Sequence, residues 1–295
     1  MTELDGLYAL WYREFKVFLR EKSRIVSSLF TPLLWIIVFG GGLGSSVSLG
    51  GTNYQVFIFP GILTMTILFS SIFFGLYIVW DKKIDFFKEV LVAPLSRLTI
   101  FAGKMLGGCT DALIQGALML AFGVVLGLSY TLLTVAFAVI FMLVLASATV
   151  SIGLVIGSRM ESPEGFNLIV SFLIFPLFFL SGALFPINNL PSWLSIFTIL
   201  NPVTYAVDGM RGVMLGMSAF PVLVDFGVLA AFAAVGFSAD AVHGDGQGLV
   251  GFLADRAERH SAGGEALHDL TGRLDLFEGQ RAAGLLDLHQ APQGA

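Results

Sequence analysis

Asp111 and Gln115 are the side chains least suited to mere packing, because they lie inside an apolar run at 105–128. Four residues apart, they share one face of any helix formed there. A carboxylate in hydrocarbon is expensive and turns toward protein or a water-filled path. Two uses follow: the pair lines a route through the membrane, or it bonds structurally across helices, which is the simpler reading. Covalent chemistry has little support. No apolar run contains histidine, so no nucleophile and base can be paired, and an enzyme is not expected. His243, His260, His268 and His289 all lie near the C-terminus, dispersed without the close pairing of a ligand set, so no metal site is expected. Cys109 is the only cysteine and cannot form an internal disulfide. The chain also lacks a Gly-x-x-x-x-Gly-Lys-Ser/Thr phosphate loop.

The elements that must hold such residues are lipid-crossing. Hydrophobic residues make up 56% of the 295 and charged residues 13%, against about 25% charged in soluble domains. A hydrocarbon core about 30 Å thick calls for roughly 20 apolar helical residues. Runs at 25–44, 56–80, 105–128, 132–157 and 165–185 meet this length, and 222–237 is a shorter sixth. Nothing alternates like a barrel strand, and lipid-facing backbone must bond to itself. The expected fold is all-α: a polytopic six-helix bundle with a short sixth span. The first run keeps flanking charges and full length, so it reads as an uncleaved anchor. Glycines four apart at Gly103/Gly107, Gly123/Gly127, Gly153/Gly157 and Gly212/Gly216 suit close helix approach, mostly within the chain.

Basic residues orient the bundle. Arg13, Lys16, Arg20, Lys22 and Arg24 precede the first span, and Lys82, Lys83, Lys88, Arg97 and Lys104 lie around the second loop. Positive charge stays inside, which predicts a multi-pass protein of the cell membrane with a cytoplasmic N-terminus. Residues 1–24 form a separate amphipathic unit: Leu4, Leu7, Tyr8, Trp11, Phe15 and Phe18 share one face, opposite Asp5, Arg13, Lys16 and Arg20. Such a helix lies in the inner interface of the bilayer. In the inner loop, Phe86, Phe87, Val90 and Leu91 have helical spacing, which predicts a short helix over 82–92 that stops at Pro94, with Ser96 capping the next helix. That loop is either a docking element or a solvated positive-inside connection. Beyond the fifth span, Pro186, Pro191 and Pro202 cut an apolar stretch into pieces too short to cross, and Trp193 and Tyr205 belong to an interfacial belt.

These segments resemble the type-2 permease subunits of ATP-binding-cassette exporters, a family that handles drugs, polysaccharides and lipo-oligosaccharides. The likeness rests on Ser181-Gly182 with Phe185-Pro186, on Leu190-Pro191-Ser192-Trp193-Leu194, and on the run Asn201-Pro202-Val203-Thr204-Tyr205-Ala206-Val207-Asp208-Gly209-Met210-Arg211 followed by Gly216. Lys88-Glu89-Val90-Leu91, Ala93-Pro94-Leu95-Ser96-Arg97 and Lys104 look like the family's inner coupling segment. The resemblance implies six spans and a homodimer or heterodimer of permeases. It also implies a separate ATPase subunit carrying ATP-Mg, with no cofactor bound by this chain. On the same basis Phe86, Phe87, Glu89, Pro94 and Arg97 would meet the ATPase, and Pro186, Pro191, Trp193, Asn201, Pro202, Tyr205 and Arg211 form the extracellular motif. The bilayer is the other expected partner, and no nucleic acid is expected. The competing class is an ATP-independent carrier or channel, which needs ionisable groups deep in the bundle; Asp111 alone is a candidate.

Residues 238–295 depart from this pattern. Residues 1–237 hold twelve acidic and twelve basic side chains, whereas the tail holds nine acidic and four basic, which accounts for the whole net charge of −5. Its Gly- and Ala-rich composition makes poor domain material. We read it as an anomalous segment, either translated out of frame or disordered, in contrast with a genuine cytoplasmic extension.

Overall fold

The computed structural model describes residues 2–44, 48–49, 52–84 and 95–242. Helix α1 (Glu3–Arg20) begins with a capping box: the Asp5 amide donates to the Thr2 hydroxyl at 3.3 Å, and the Thr2 amide donates back to Asp5 Oδ2 at 2.9 Å. The chain turns at Glu21 and enters α2 (Lys22–Trp35). Pro32 has no amide to give, and the helix loosens into a π segment over Ile36–Gly40 before α3 (Gly41–Gly44). Ile25–Gly44 forms the first crossing, with little of it buried inside the chain. Strands β1 (Ser48–Leu49) and β2 (Thr52–Asn53) pair antiparallel, and the Asn53 side chain caps the next helix by accepting from the Gln55 amide at 3.1 Å.

The second crossing, Tyr54–Lys83, is the axis of the bundle. It consists of α4 (Tyr54–Phe73) and α5 (Leu76–Lys83), joined through Phe74 and Gly75. Here the backbone tightens to three-residue bonds, Tyr77 to Phe74 and Ile78 to Gly75, each 3.1 Å. The tightening coincides with a contact that only glycines permit. A Cβ on Gly75 would stand 1.9 Å from the Gly153 carbonyl oxygen, one on Gly153 would stand 2.4 Å from that of Ile72, and one on Gly157 would stand 2.2 Å from that of Gly75.

Helices α6 (Arg97–Val125), α7 (Leu132–Arg159) and α8 (Pro163–Phe179) follow, capped by Ser96, Thr131 and Ser162. Helix α6 is continuous from Arg97, so the third crossing begins well before the apolar run at 105, and Lys104 lies within a regular helix. After α8 the chain passes through a single 3-10 turn (Ile187–Asn189) to α9 (Ser192–Leu200), α10 (Pro202–Leu215) and α11 (Val222–Val242). The last helix continues past Phe237, where the apolar run ends. Among the described residues four helices are long and apolar enough to cross a membrane, whereas Pro163–Phe179 and Val222–Ser238 are shorter apolar helices. This is the expected polytopic helical bundle. Its core is the nearly inaccessible face of α4, with Ile58, Ile62, Leu63, Ile67 and Leu68 held between α6, α7 and α10. Residues 85–94, with the predicted docking helix, and 243–295, with most of the anomalous tail, lie outside the described residues.

Candidate functional site

At the end of the bundle where basic residues gather, α1 does not merely rest on the spans. Its buried strip is Gly6, Leu10, Glu14 and Phe18, whereas Leu4 and Tyr8, on the face expected to be apolar, are 77% and 58% exposed. Helical periodicity located an apolar face, of which Phe18 and Trp11 meet protein, while Gly6, Leu10 and Glu14 beside it complete the contact. Gly103 and Gly107 of α6 let the two helices touch: Cβ atoms there would lie 2.8 Å from Leu10 Cβ and 2.6 Å from Glu14 Cβ. The Trp11 indole donates to Thr110 Oγ1 at 3.0 Å. At the start of the pair, Glu3 accepts from the Ser96 amide at 3.0 Å and from the Ser96 and Thr99 hydroxyls, so the first turn of α1 closes the first turn of α6.

Four charges meet where α1, α5 and α6 converge. Lys104 Nζ donates to Glu14 Oε1 at 2.7 Å and to Asp81 Oδ2; Arg13 donates to Asp81 Oδ1 at 2.8 Å and to Glu14 Oε1 at 2.6 Å. Among the described residues two cations face two anions here. The side chains of Lys104 and Glu14 are each 2% exposed and that of Asp81 is 6%, while Arg13, at 29%, closes the cluster toward solvent. Burial alone would lower the Arg13 pKa, but its hydrogen bond to Asp81 and the charges of Glu14 and Asp81 prevail and raise it above the ordinary guanidinium value. One position further along α5, Lys82 donates to the carbonyls of Gly157 and Met160, both at 3.0 Å, and to that of Ser158. An ammonium thus caps the C-terminal end of α7, where helix carbonyls carry partial negative charge. Tyr77 donates to Glu21, the residue that breaks α1 from α2.

The opposite end holds the proline-punctuated motif, and its polar groups are met by main chain. Pro186 and Pro191 lead into the 3-10 turn and α9, and Pro202 occupies the first position of α10. Asn201 is 6% exposed; its carbonyl oxygen accepts from the Val203 amide at 3.0 Å, capping α10, while its amide donates to the Leu177 carbonyl at 2.6 Å. Tyr205 donates to the Ile199 carbonyl at 3.0 Å, and Trp193 is 65% exposed on α9. Helix α10 is buried through Val203–Arg211 and inserts into the bundle, whereas only Thr198 of α9 is buried. Arg211 donates to the Gly182 carbonyl at 3.0 Å and lies 4.1 Å from the centre of the Phe57 ring. Asp208 accepts from the amides of Ala219 and Phe220 at 2.8 and 2.9 Å. Asp225 is fully buried on α11, and a Cβ on Gly209 would lie 3.1 Å from its Cβ.

Between the two ends, Asp111 and Gln115 are each 1% exposed on α6, on one face as expected. Of the proposed ATPase-facing residues, Phe86, Phe87, Glu89 and Pro94 lie outside the described residues, and Arg97 is placed only as the first residue of α6. Sequence reasoning noted Arg13 and Lys104 but did not join them, and it passed over Glu14 and Asp81 as constituents of a cluster. The signal available was slight: a glutamate on the protein-facing strip of α1, a lysine seven residues into α6, and an aspartate directly before Lys82-Lys83.

Known proteins resemble this chain over most of its length. Residues 5–215 match the family model described as ABC-2 type transporter. The inner membrane transport permease YadH of Escherichia coli K12 is 30% identical over 237 residues, covering 77% of this chain and 90% of that protein. The transport permease ycf38 of Cyanophora paradoxa is 33% identical over 217 residues, 70% of this chain and 73% of its own length. Nodulation protein J of Rhizobium leguminosarum bv. viciae is 26% identical over 239 residues, 78% and 90% respectively. The family match runs from α1 to the end of α10, which includes both the charge cluster and the proline-punctuated motif. The chain therefore belongs to the ABC-2 type transporter family, as a multi-pass membrane permease subunit that works with an ATP-binding-cassette subunit.

Proposed function

We propose that this permease forms an export pathway in the cell membrane together with a second permease copy, with its N-terminus in the cytoplasm. Hydrolysis is left to the separate ATPase subunit; this chain binds neither ATP-Mg nor any other cofactor and catalyses no reaction. Phe86, Phe87, Glu89, Pro94 and Arg97 contact that subunit, with Glu89 as the main charge. Pro186, Pro191, Trp193, Asn201, Pro202, Tyr205 and Arg211 form the fixed outer frame, and Asp111 and Gln115 border the route between.

The observation that carries this reading is the charge cluster of Arg13, Glu14, Asp81 and Lys104. The segment that would dock the ATPase follows the end of α5 at Lys83, two residues after Asp81, and precedes the start of α6 at Arg97, seven residues before Lys104. Glu14 and Arg13 bind both ends of that excursion to α1. A force applied to the segment is therefore delivered to α1, to the second crossing and to the third crossing together, as a rigid-body switch requires. The positive-inside distribution supports the orientation.

The test is reconstitution with the cognate ATPase. Glu89→Lys should abolish co-purification and lower permease-dependent ATP hydrolysis about tenfold or more, the scale of a lost interfacial charge pair. The melting temperature of the permease alone should not change. Transport that proceeds without ATP and follows an ion gradient would overturn the proposal.

A further inference from the structure

A cavity of about 300 Å³ lies between α2, α4 and α6. Ser28 and Thr31 border it from α2, Thr66, Phe69 and Ser70 from α4, and Gln115 from α6. No charged side chain lines it among the described residues. The hydroxyls of Ser28 and Thr66 donate to the carbonyls of Ile25 and Ile62, each at 3.0 Å, which leaves their oxygens able to accept. Gln115 differs from these: it is 1% exposed, and neither its amide nitrogen nor its carbonyl oxygen has a hydrogen-bond partner among the described residues. Ser70 Oγ is likewise buried without one. A buried carboxamide left in this state is costly, and Gln115 stands on the cavity wall, so a partner there would relieve it.

We infer that this cavity is a binding site for an uncharged amphipathic molecule bearing hydroxyl groups, with Gln115 and Ser70 reading the hydroxyls and Phe69 packing on the apolar part. Hydroxyls are the complement because Gln115 offers both a donor and an acceptor, and the flanking Ser and Thr oxygens add acceptors. An anion finds no cation in the lining and a cation finds no anion, so either would lose hydration without return. The volume matches a small ligand or the headgroup of a larger one. Ser27 and Phe73 line both this cavity and a wider one of about 780 Å³, which reaches Arg13, Glu21 and Asp81 at the basic end. A ligand from that end meets the charge cluster first and the neutral site second. The inference rests on the export reading, because it makes this cavity a station on the pathway.

Photoactivatable octyl β-glucoside, octyl sulfate and octyltrimethylammonium, each with a diazirine in the alkyl chain, serve as probes on the full chain with its ATPase in nanodiscs. Mass spectrometry should place the glucoside label within residues 65–73, at least tenfold above either charged probe. Gln115→Leu and Ser70→Ala should each reduce that labelling about tenfold, with unchanged melting temperature in at least the Ser70→Ala variant. Equal labelling by all three probes, or labelling that both variants leave intact, shows that only water or bulk detergent occupies the space and overturns the inference. Labelling needs no nucleotide, so the two proposals fail separately. Selective labelling without ATP-dependent transport sinks the export reading, and ATP-dependent transport without selective labelling sinks this one.

Discussion

The two ends of the bundle solve the same problem, burying polar groups in a greasy protein, by opposite means. At the basic end, charge meets charge across α1, α5 and α6, elements far apart in sequence. At the other end, Arg211, Asp208, Asn201 and Tyr205 meet backbone carbonyls and amides, many of them close by in the chain. Backbone partners are fixed by the fold and hold one geometry. Side-chain ion pairs can be exchanged, and Lys104 already shares itself between two carboxylates. One end therefore behaves as a frame and the other as a joint, which is the division a transporter needs if force enters from one side only.

The strongest way to break this comparison is to remove the centre of the joint. Lys104→Met removes the cation that bridges buried Glu14 and Asp81, leaving the more exposed Arg13 on both, and should cost about 3–5 kcal/mol in thermal unfolding of the purified protein. Arg13→Met should cost distinctly less, because its solvent-facing side lets water replace it. At the frame, Arg211→Met loses hydrogen bonds to carbonyls and a ring contact but strands no buried anion whose own bonds are lost, since Asp208 retains the Ala219 and Phe220 amides. About 2 kcal/mol is expected. If Arg211→Met proves as damaging as Lys104→Met, the division into frame and joint is wrong.

A fourth substitution tests what lies between. Gly153→Ala places a methyl 2.4 Å from the backbone oxygen of Ile72, and backbone cannot step aside as a side-chain end can. Overpacking of about 1–3 kcal/mol should appear in melting measurements, with α4 and α7 forced apart. Gly216→Ala has open space around its Cβ but a φ of +68°, so its penalty comes from backbone strain alone, about 1 kcal/mol. A larger loss at Gly216 than at Gly153 would show that the loop after α10, rather than the central crossing, limits stability.

Much of the joint was illegible in sequence for a physical reason. Length and apolarity revealed the crossings because lipid imposes a one-dimensional requirement, and the Ser96 cap was readable because it involves neighbours three residues apart. That cap also announced the start of α6 at Arg97, but the partners of Lys104 inside the helix were hidden, because Glu14 and Asp81 lie on elements distant in sequence. Likewise, periodicity put Leu4 and Tyr8 on an apolar face but could not separate the side that meets lipid from the strip Gly6, Leu10, Glu14 and Phe18 that meets protein. The glycine spacing was informative only by halves: Gly103, Gly107, Gly153 and Gly157 pack against helices of this chain, whereas Gly127 and Gly216 take positive φ and serve as turns. In the frame, Asn201 and Pro202 announced a helix start locally, yet the insertion of α10 into the bundle depended on the Gly182 and Leu177 carbonyls, which no spacing rule specifies.

The smallest expected effect lies at the margin of the joint, where Glu3 is exposed. The Thr99 hydroxyl, with the Ser96 amide and hydroxyl, holds its carboxyl below the ordinary glutamate value despite the opposing effect of desolvation. A carboxylate with a depressed folded-state pKa contributes above its unfolded-state value and loses that contribution as pH falls through the folded value. Closure of the first turn of α6 by α1 should therefore weaken in acid. The protection of the Ser96 amide, its exchange rate taken relative to the intrinsic rate at each pH, should fall as Glu3 protonates, and Glu3→Gln should show the lower protection at neutral pH with the acid dependence flattened. Loosening here without any change in melting temperature would place the joint's strength in Lys104, Glu14 and Asp81. If Glu3→Gln instead lowered stability as much as Lys104→Met, the hold of α1 on the bundle would lie at its exposed first turn and not in the buried charges.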